Sequence, residues 1–99
     1  MKKIIVIEIA AKEWFDRING NSYFSADVTI TYDDMTEESF IIPFEYGYGD
    51  SYINVAFKEI AKRGILPDIA FHWRSYCHDN GIKVVRYKRT GCKKKELHK

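Results

Sequence analysis

The 99-residue chain reads as a small α+β domain, because strand-like alternation fills its first half and helix-like periodicity much of its second. Tyr23 to Tyr32 carries the clearest alternation: Phe24, Ala26, Val28, Ile30 and Tyr32 fall on one face, and Ser25, Asp27, Thr29 and Thr31 on the other. From Ser51 onward, Ile53, Ala56, Phe57 and Ile60 recur at the spacing of one helical face. The expected architecture is a two-layer sandwich in the order β-β-β-α-α-β. Its sheet is mostly antiparallel, with two helices on one face.

The first strand is expected over Lys3 to Ala10. Ile5, Ile7 and Ile9 face one way, Ile4 and Val6 the other, as in a strand buried on both sides. After Tyr32, Asp33 to Glu37 supply turn chemistry, and Phe40, Ile42, Phe44 and Tyr46 then alternate with Ser39, Ile41, Pro43 and Glu45, which makes a hairpin. Pro43 has no N–H to give to a ladder, so the third strand is expected at a sheet edge, or Pro43 at a bulge. Asp50 or Ser51 can cap the first helix, Lys62 and Arg63 suit its negative end, and Gly64 is placed to stop it. Pro67 can open a second helix in which Ile69, Trp73, Tyr76 and Cys77 share a face until Asn80-Gly81. Ile82, Val84 and Tyr87 suggest a last strand, expected beside the first. The core should set Phe57, Ile60 and Trp73 on Phe24, Val28, Phe40 and Phe44. Residues 1–89 are thus expected to form one domain, and 90–99 a flexible basic tail.

With 45% hydrophobic and 15% aromatic residues, the core should fold without metal or disulfide. Cys77 and Cys92 do not have the spacing of a disulfide scaffold, which favours a reducing compartment. Glu8 cuts the apolar run Ile4 to Ile7 far short of a signal core or membrane span, so a cytoplasmic protein with no membrane partner is expected. Charge is unevenly placed. From position 83 onward eight lysines and arginines face one glutamate, a net of +7, while residues 1 to 82 carry −5.

Candidate chemistry is sparse. His72, Cys77, His78, Cys92 and His98 could suggest zinc, but none of the helical pairs has the i, i+4 spacing that places two ligands on one face. Cys77 falls on the core stripe, where a thiol is raised in pKa and unreactive, so a Cys–His nucleophile is not expected. Gly47-Tyr48-Gly49-Asp50-Ser51 leads into a helix yet lacks the lysine of a phosphate-binding loop and the third glycine of a dinucleotide fingerprint. No catalytic residue, metal or cofactor is expected, and the chain reads as non-enzymatic.

Trp14 to Phe24 is the most distinctive stretch. Read structurally, Asn19-Gly20 supplies a tight turn, Asp16 or Ser22 binds free backbone N–H groups, and Trp14 and Phe15 anchor a loop to the core. Read functionally, Phe15, Arg17, Asn21 and Tyr23, with Tyr48, form a recognition surface, since aromatics and arginine are common binding anchors. This stretch, together with Pro43 to Asp50 and His78 to Lys83, resembles a set of small uncharacterised proteins of phages and prophages. That resemblance implies an accessory protein acting in the host cell. Its expected role is to bind and inhibit a host protein, such as a defence (anti-CRISPR-like) or nucleic-acid-processing complex.

The alternative is a nucleic-acid-binding protein. Lys93, Lys94 and Lys95 can neutralise phosphates, and Arg86, Lys88 and Arg89 surround Tyr87 as in single-strand binders. An enzyme of unrecognised type is the third reading. The sequence leaves open whether the chain is a monomer or a homodimer.

Overall fold

A computed structural model describes residues 2–47 and 49–97 of the chain. Its strands are β1 (Ile4–Asp16), β2 (Asn21–Tyr32), β3 (Glu37–Tyr46) and β4 (Lys83–Arg89), and its helices α1 (Ser51–Lys62) and α2 (Trp73–Asp79). A short 3-10 turn covers Lys94–Glu96. The architecture is α+β, with one four-stranded sheet in the order β3-β2-β1-β4. β1–β2 and β2–β3 pair antiparallel and β1–β4 parallel, so the sheet is mixed, and the last strand lies beside the first. Parallel pairing follows from the connection, because the chain crosses from the β3 edge to the β4 edge through both helices. No helix among the described residues is long and apolar enough to cross a membrane.

The core lies between the sheet and the helices. Ile7 and Ile9 from β1, Phe24, Val28 and Ile30 from β2, and Phe40 and Ile42 from β3 meet Ile53, Ala56, Phe57 and Ile60 of α1. Trp73 of α2 stacks on Phe57 with ring centroids 5.3 Å apart. Gly64, at φ +75°, ends α1 in the left-handed region that glycine adopts without steric cost, and Ile65 N–H bonds back to the Ile60 carbonyl at 3.1 Å.

Several details differ from the sequence expectation, each for a local reason. β1 is six residues longer than Ala10, because Glu13, Trp14, Phe15 and Asp16 continue the pairing with Phe24, Tyr23, Ser22 and Asn21. The stretch read as a loop is therefore a hairpin end, and Trp14 and Phe15 do not anchor it to the core. A register shift between Ile4 and Val6 puts Ile4 on the core side with Ile7. In β3, Ile42 to Glu45 oppose only Phe24 to Ala26. The extra residue is a bulge at Pro43, on an edge strand as proline requires, and it turns Phe44 from the core to the opposite face. The second helix begins at Trp73, because Pro67 to His72 close as turns, with His72 N–H bonded to the Ile69 carbonyl at 2.9 Å. Asp50 makes no side-chain cap for α1; its carboxylate lies 3.8 Å from Arg86 instead.

The C-terminal residues also differ from a tail detached from the domain. Cys92 N–H donates to the Glu13 carbonyl at 3.0 Å, and the Cys92 and Leu97 side chains are buried. Residues 90–97 thus return along β1 beyond the end of β4. His98 and Lys99 lie outside the described residues.

Candidate functional site: the β1–β2 hairpin and the helix-free face

The far end of the β1–β2 hairpin is shaped by one carboxylate. Asp16 accepts from Ile18 N–H at 3.0 Å, Asn19 N–H at 3.3 Å and Asn19 Nδ2 at 2.8 Å, while Gly20 N–H returns to the Asp16 carbonyl at 2.7 Å. Gly20, at φ +70°, completes the turn. The expectation that Asp16 would tie free N–H groups is met, and the result is a turn whose backbone donors are held from within. Ile18 at its corner is 94% exposed and Phe15 beside it 53%. A turn with an apolar tip held out in water has no folding reason to be apolar, which makes it a docking candidate.

The Asn19 side chain holds the Asp16 carboxyl below its ordinary range; burial opposes this, and the N–H groups of Asn19 and Ile18 and the charge of Lys94 assist. A carboxylate with a depressed native pKa adds stability that is present above the unfolded value, about 3.9, and lost as pH falls through the native one. Asp34 and Glu96 are lowered as well, by the Thr36 hydroxyl and by Lys93 N–H first. The melting temperature should therefore decline with acidification below about pH 4. In thermal melts from pH 2 to 7, Asp16→Asn should show a shallower decline than the unmodified protein.

Behind the tip, aromatic rings brace the hairpin on the face away from the helices. Trp14, Tyr23 and Tyr46 are register partners on adjacent strands, and the bulge adds Phe44. Ring centroids lie 5.6 Å apart for Trp14–Tyr23 and 4.8 Å for Tyr23–Phe44, both stacked, and Tyr46 meets Tyr23 edge-on at 5.7 Å. Lys94 Nζ sits 5.5 Å from the Trp14 ring centre. Trp14 and Phe44 are in turn 6.1 Å apart, so the three rings form a triangular cluster in which each meets the other two, with Lys94 beside Trp14.

The sequence candidates divide accordingly. Phe15 and Arg17 are exposed near the tip, whereas Asn21 and Tyr23 are half-buried in the hairpin that supports it. Tyr48 lies outside the described residues. Ile18, Trp14, Phe44 and Tyr46 were not among the candidates. An isoleucine between Arg17 and Asn19 inside turn chemistry was the available signal for the first; Phe44 and Tyr46 depend on a bulge that alternation does not show.

The basic candidates are split between opposite sides of the sheet. Lys88 donates to the Gly49 carbonyl at 2.8 Å and pairs with Glu13 at 3.4 Å, and Arg86 lies over Trp73 at 5.6 Å, so both are engaged on the helix side. Arg89 is level with Lys12 on the helix-free side, and Lys93, Lys94 and Lys95 follow in the returning segment. These six residues therefore lie on two sides of the sheet. Between this segment and the tip opens a cleft of about 480 Å³, with Phe15, Arg17 and Ile18 on one wall and Gly91, Cys92 and Lys93 on the other.

Among the described residues no group of three His, Cys, Asp or Glu could hold a metal ion. Cys77 and Cys92 are both unbridged and buried, and burial raises the Cys77 thiol above its ordinary range. Comparison with protein families, curated proteins and solved structures found no match for this chain.

Proposed function

We propose that this chain is a non-enzymatic binding protein that docks on a host protein by the tip of its β1–β2 hairpin and inhibits it by occupying a functional surface. The carrying observation is the exposed Ile18, presented with Phe15 and Arg17 on a turn held by Asp16 and braced by the Trp14–Tyr23–Phe44 stack. Preorganisation of this kind reduces the ordering cost of association, and a protruding apolar anchor flanked by arginine suits a pocket on a folded partner. The resemblance to phage and prophage proteins is what points to a host protein as that partner.

The test is an affinity capture from lysate of a candidate host, followed by titration of the purified partner. Ile18→Asp should weaken binding by at least about 30-fold, as loss of a hot spot of 2 kcal/mol or more implies, with the melting temperature unchanged. A partner bound equally well by Ile18→Asp and Phe15→Ala would refute docking by the tip.

Nucleic-acid binding is the second reading, favoured by the Lys12, Arg89 and Lys94 grouping on the helix-free side. It requires fluorescence anisotropy with single-stranded oligonucleotides to show binding that falls steeply with added salt and with Arg89→Glu.

A further inference from the structure

We propose that the helix-free face of the sheet packs against the same face of a second copy of this chain, with the strands of the two copies running in opposite directions. The face is laid out in levels by the strand register. Val85, Glu8 and Thr29 share one level, Tyr87, Ala10, Asp27 and Ile41 the next, and Arg89, Lys12 and Ser25 the third, followed by the ring stack with Lys94. Acidic groups thus occupy the first two levels and basic groups the next two. Glu96 lies near Lys12 and Arg89, but Lys93 and Lys94 keep that end basic. Lys83 stands beyond the acidic levels, at the β4 edge.

A two-fold axis lying between the sheets and across the strands keeps each strand over its own copy and reverses its direction. Glu8 of one copy then stands over Lys12 of the other, and the converse pair forms by symmetry, as an isologous interface demands. At the level of the axis lie Tyr87, 53% exposed, on β4 and Ile41, 49% exposed, on β3, so the apolar contacts fall on the two outer strands, while Asp27 between them faces Asp27 of the other copy. Four strands at about 4.8 Å and eight residues at about 3.4 Å give roughly 500 Å² in projection. That is below the 800 Å² or so that each partner contributes to an interface of standard size, so a weak, concentration-dependent dimer is expected.

Charge argues against the other symmetric arrangements. The β3 edge carries Glu37, Glu38 and Glu45, and β4 carries Lys83, Arg86, Lys88 and Arg89 with no acidic residue. Antiparallel pairing of either edge with itself opposes several like charges and brings no opposite ones, whereas the face-to-face arrangement opposes only Asp27 to Asp27 and gains two Glu8–Lys12 pairs. Face-to-face packing also leaves Ile18 and Phe15 of the two copies at opposite ends, so the proposal does not depend on what the hairpin tip binds.

Sedimentation velocity over a concentration series at low salt tests the proposal. The expected species at high concentration has twice the 11.6 kDa mass of the chain. Glu8→Lys and Lys12→Glu should each weaken self-association at least tenfold, whereas an equimolar mixture of the two variants should form a heterodimer, since both charge pairs are then attractive. Ile41→Lys, at an exposed position, should also give monomers. A species of only 11.6 kDa for the unmodified protein at several hundred micromolar overturns the proposal. So does a dimer unaffected by Ile41→Lys, or charge variants that do not associate when mixed although circular dichroism shows both folded.

Discussion

Phe57→Ala should lower the unfolding free energy by about 3–5 kcal/mol, a large part of the roughly 5–15 kcal/mol that holds a native domain together. Phe57 is fully buried in α1, among residues that reach it from the sheet, and its ring is stacked on Trp73 of α2. Truncation leaves a cavity bounded by two elements that belong to different segments of the chain, and it removes the ring contact that joins them. The site can collapse only partly, because Ala56 and Ile60 are held by the helix and Val28 and Phe40 by the sheet. Urea unfolding followed by tryptophan fluorescence is the measurement: the midpoint should fall sharply with the slope little changed. A loss below 1 kcal/mol would mean that the helix layer is not the main support of the sheet.

Lys88→Ala should cost about 2–3 kcal/mol, more than the removal of an ordinary surface lysine. Its ammonium group joins three elements: it donates to the Gly49 carbonyl before α1, pairs with Glu13 of β1, and approaches the Tyr52 ring at 5.8 Å. The Lys88 and Glu13 side chains are only 17% and 15% exposed, so truncating the lysine leaves a largely buried carboxylate without its partner. Combining Lys88→Met with Glu13→Gln should recover part of the loss, since the pair then goes as a unit. Thermal and urea unfolding of the two variants would show this, and equal losses for the single and double variants would contradict it. The same contacts explain why Lys88 is poorly placed to meet phosphate.

Much of the fold was legible in residue order because its elements are locally consistent. Alternation in β2 and the i, i+3, i+4, i+7 stripe in α1 each bury one face, and both layers are found where those patterns put them. Pro43 marked both an edge strand and a bulge, since a residue with no N–H is tolerated at either. The helix over Pro67 to His72 failed for a related reason. Apolar spacing there reflects Ile69 and Ala70 reaching the core from turns, and spacing alone does not separate that from a short helix.

The candidate site was less legible. Phe15 and Arg17 stood out as candidates because aromatics and arginine are common binding anchors, and the Asp16–Asn19–Gly20 turn follows from local hydrogen bonding over five residues. The residues themselves therefore determined the class of fold, the helix and strand faces, the turn and the uneven distribution of charge. Only the tertiary structure decided that Trp14 and Phe44 face away from the helices, that Lys88 is an internal tie while Arg89 lies with Lys12, and that the basic end returns along β1. Those outcomes depend on register, where one bulged residue moves a side chain to the opposite face, and on contacts between segments tens of residues apart, which local periodicity does not encode.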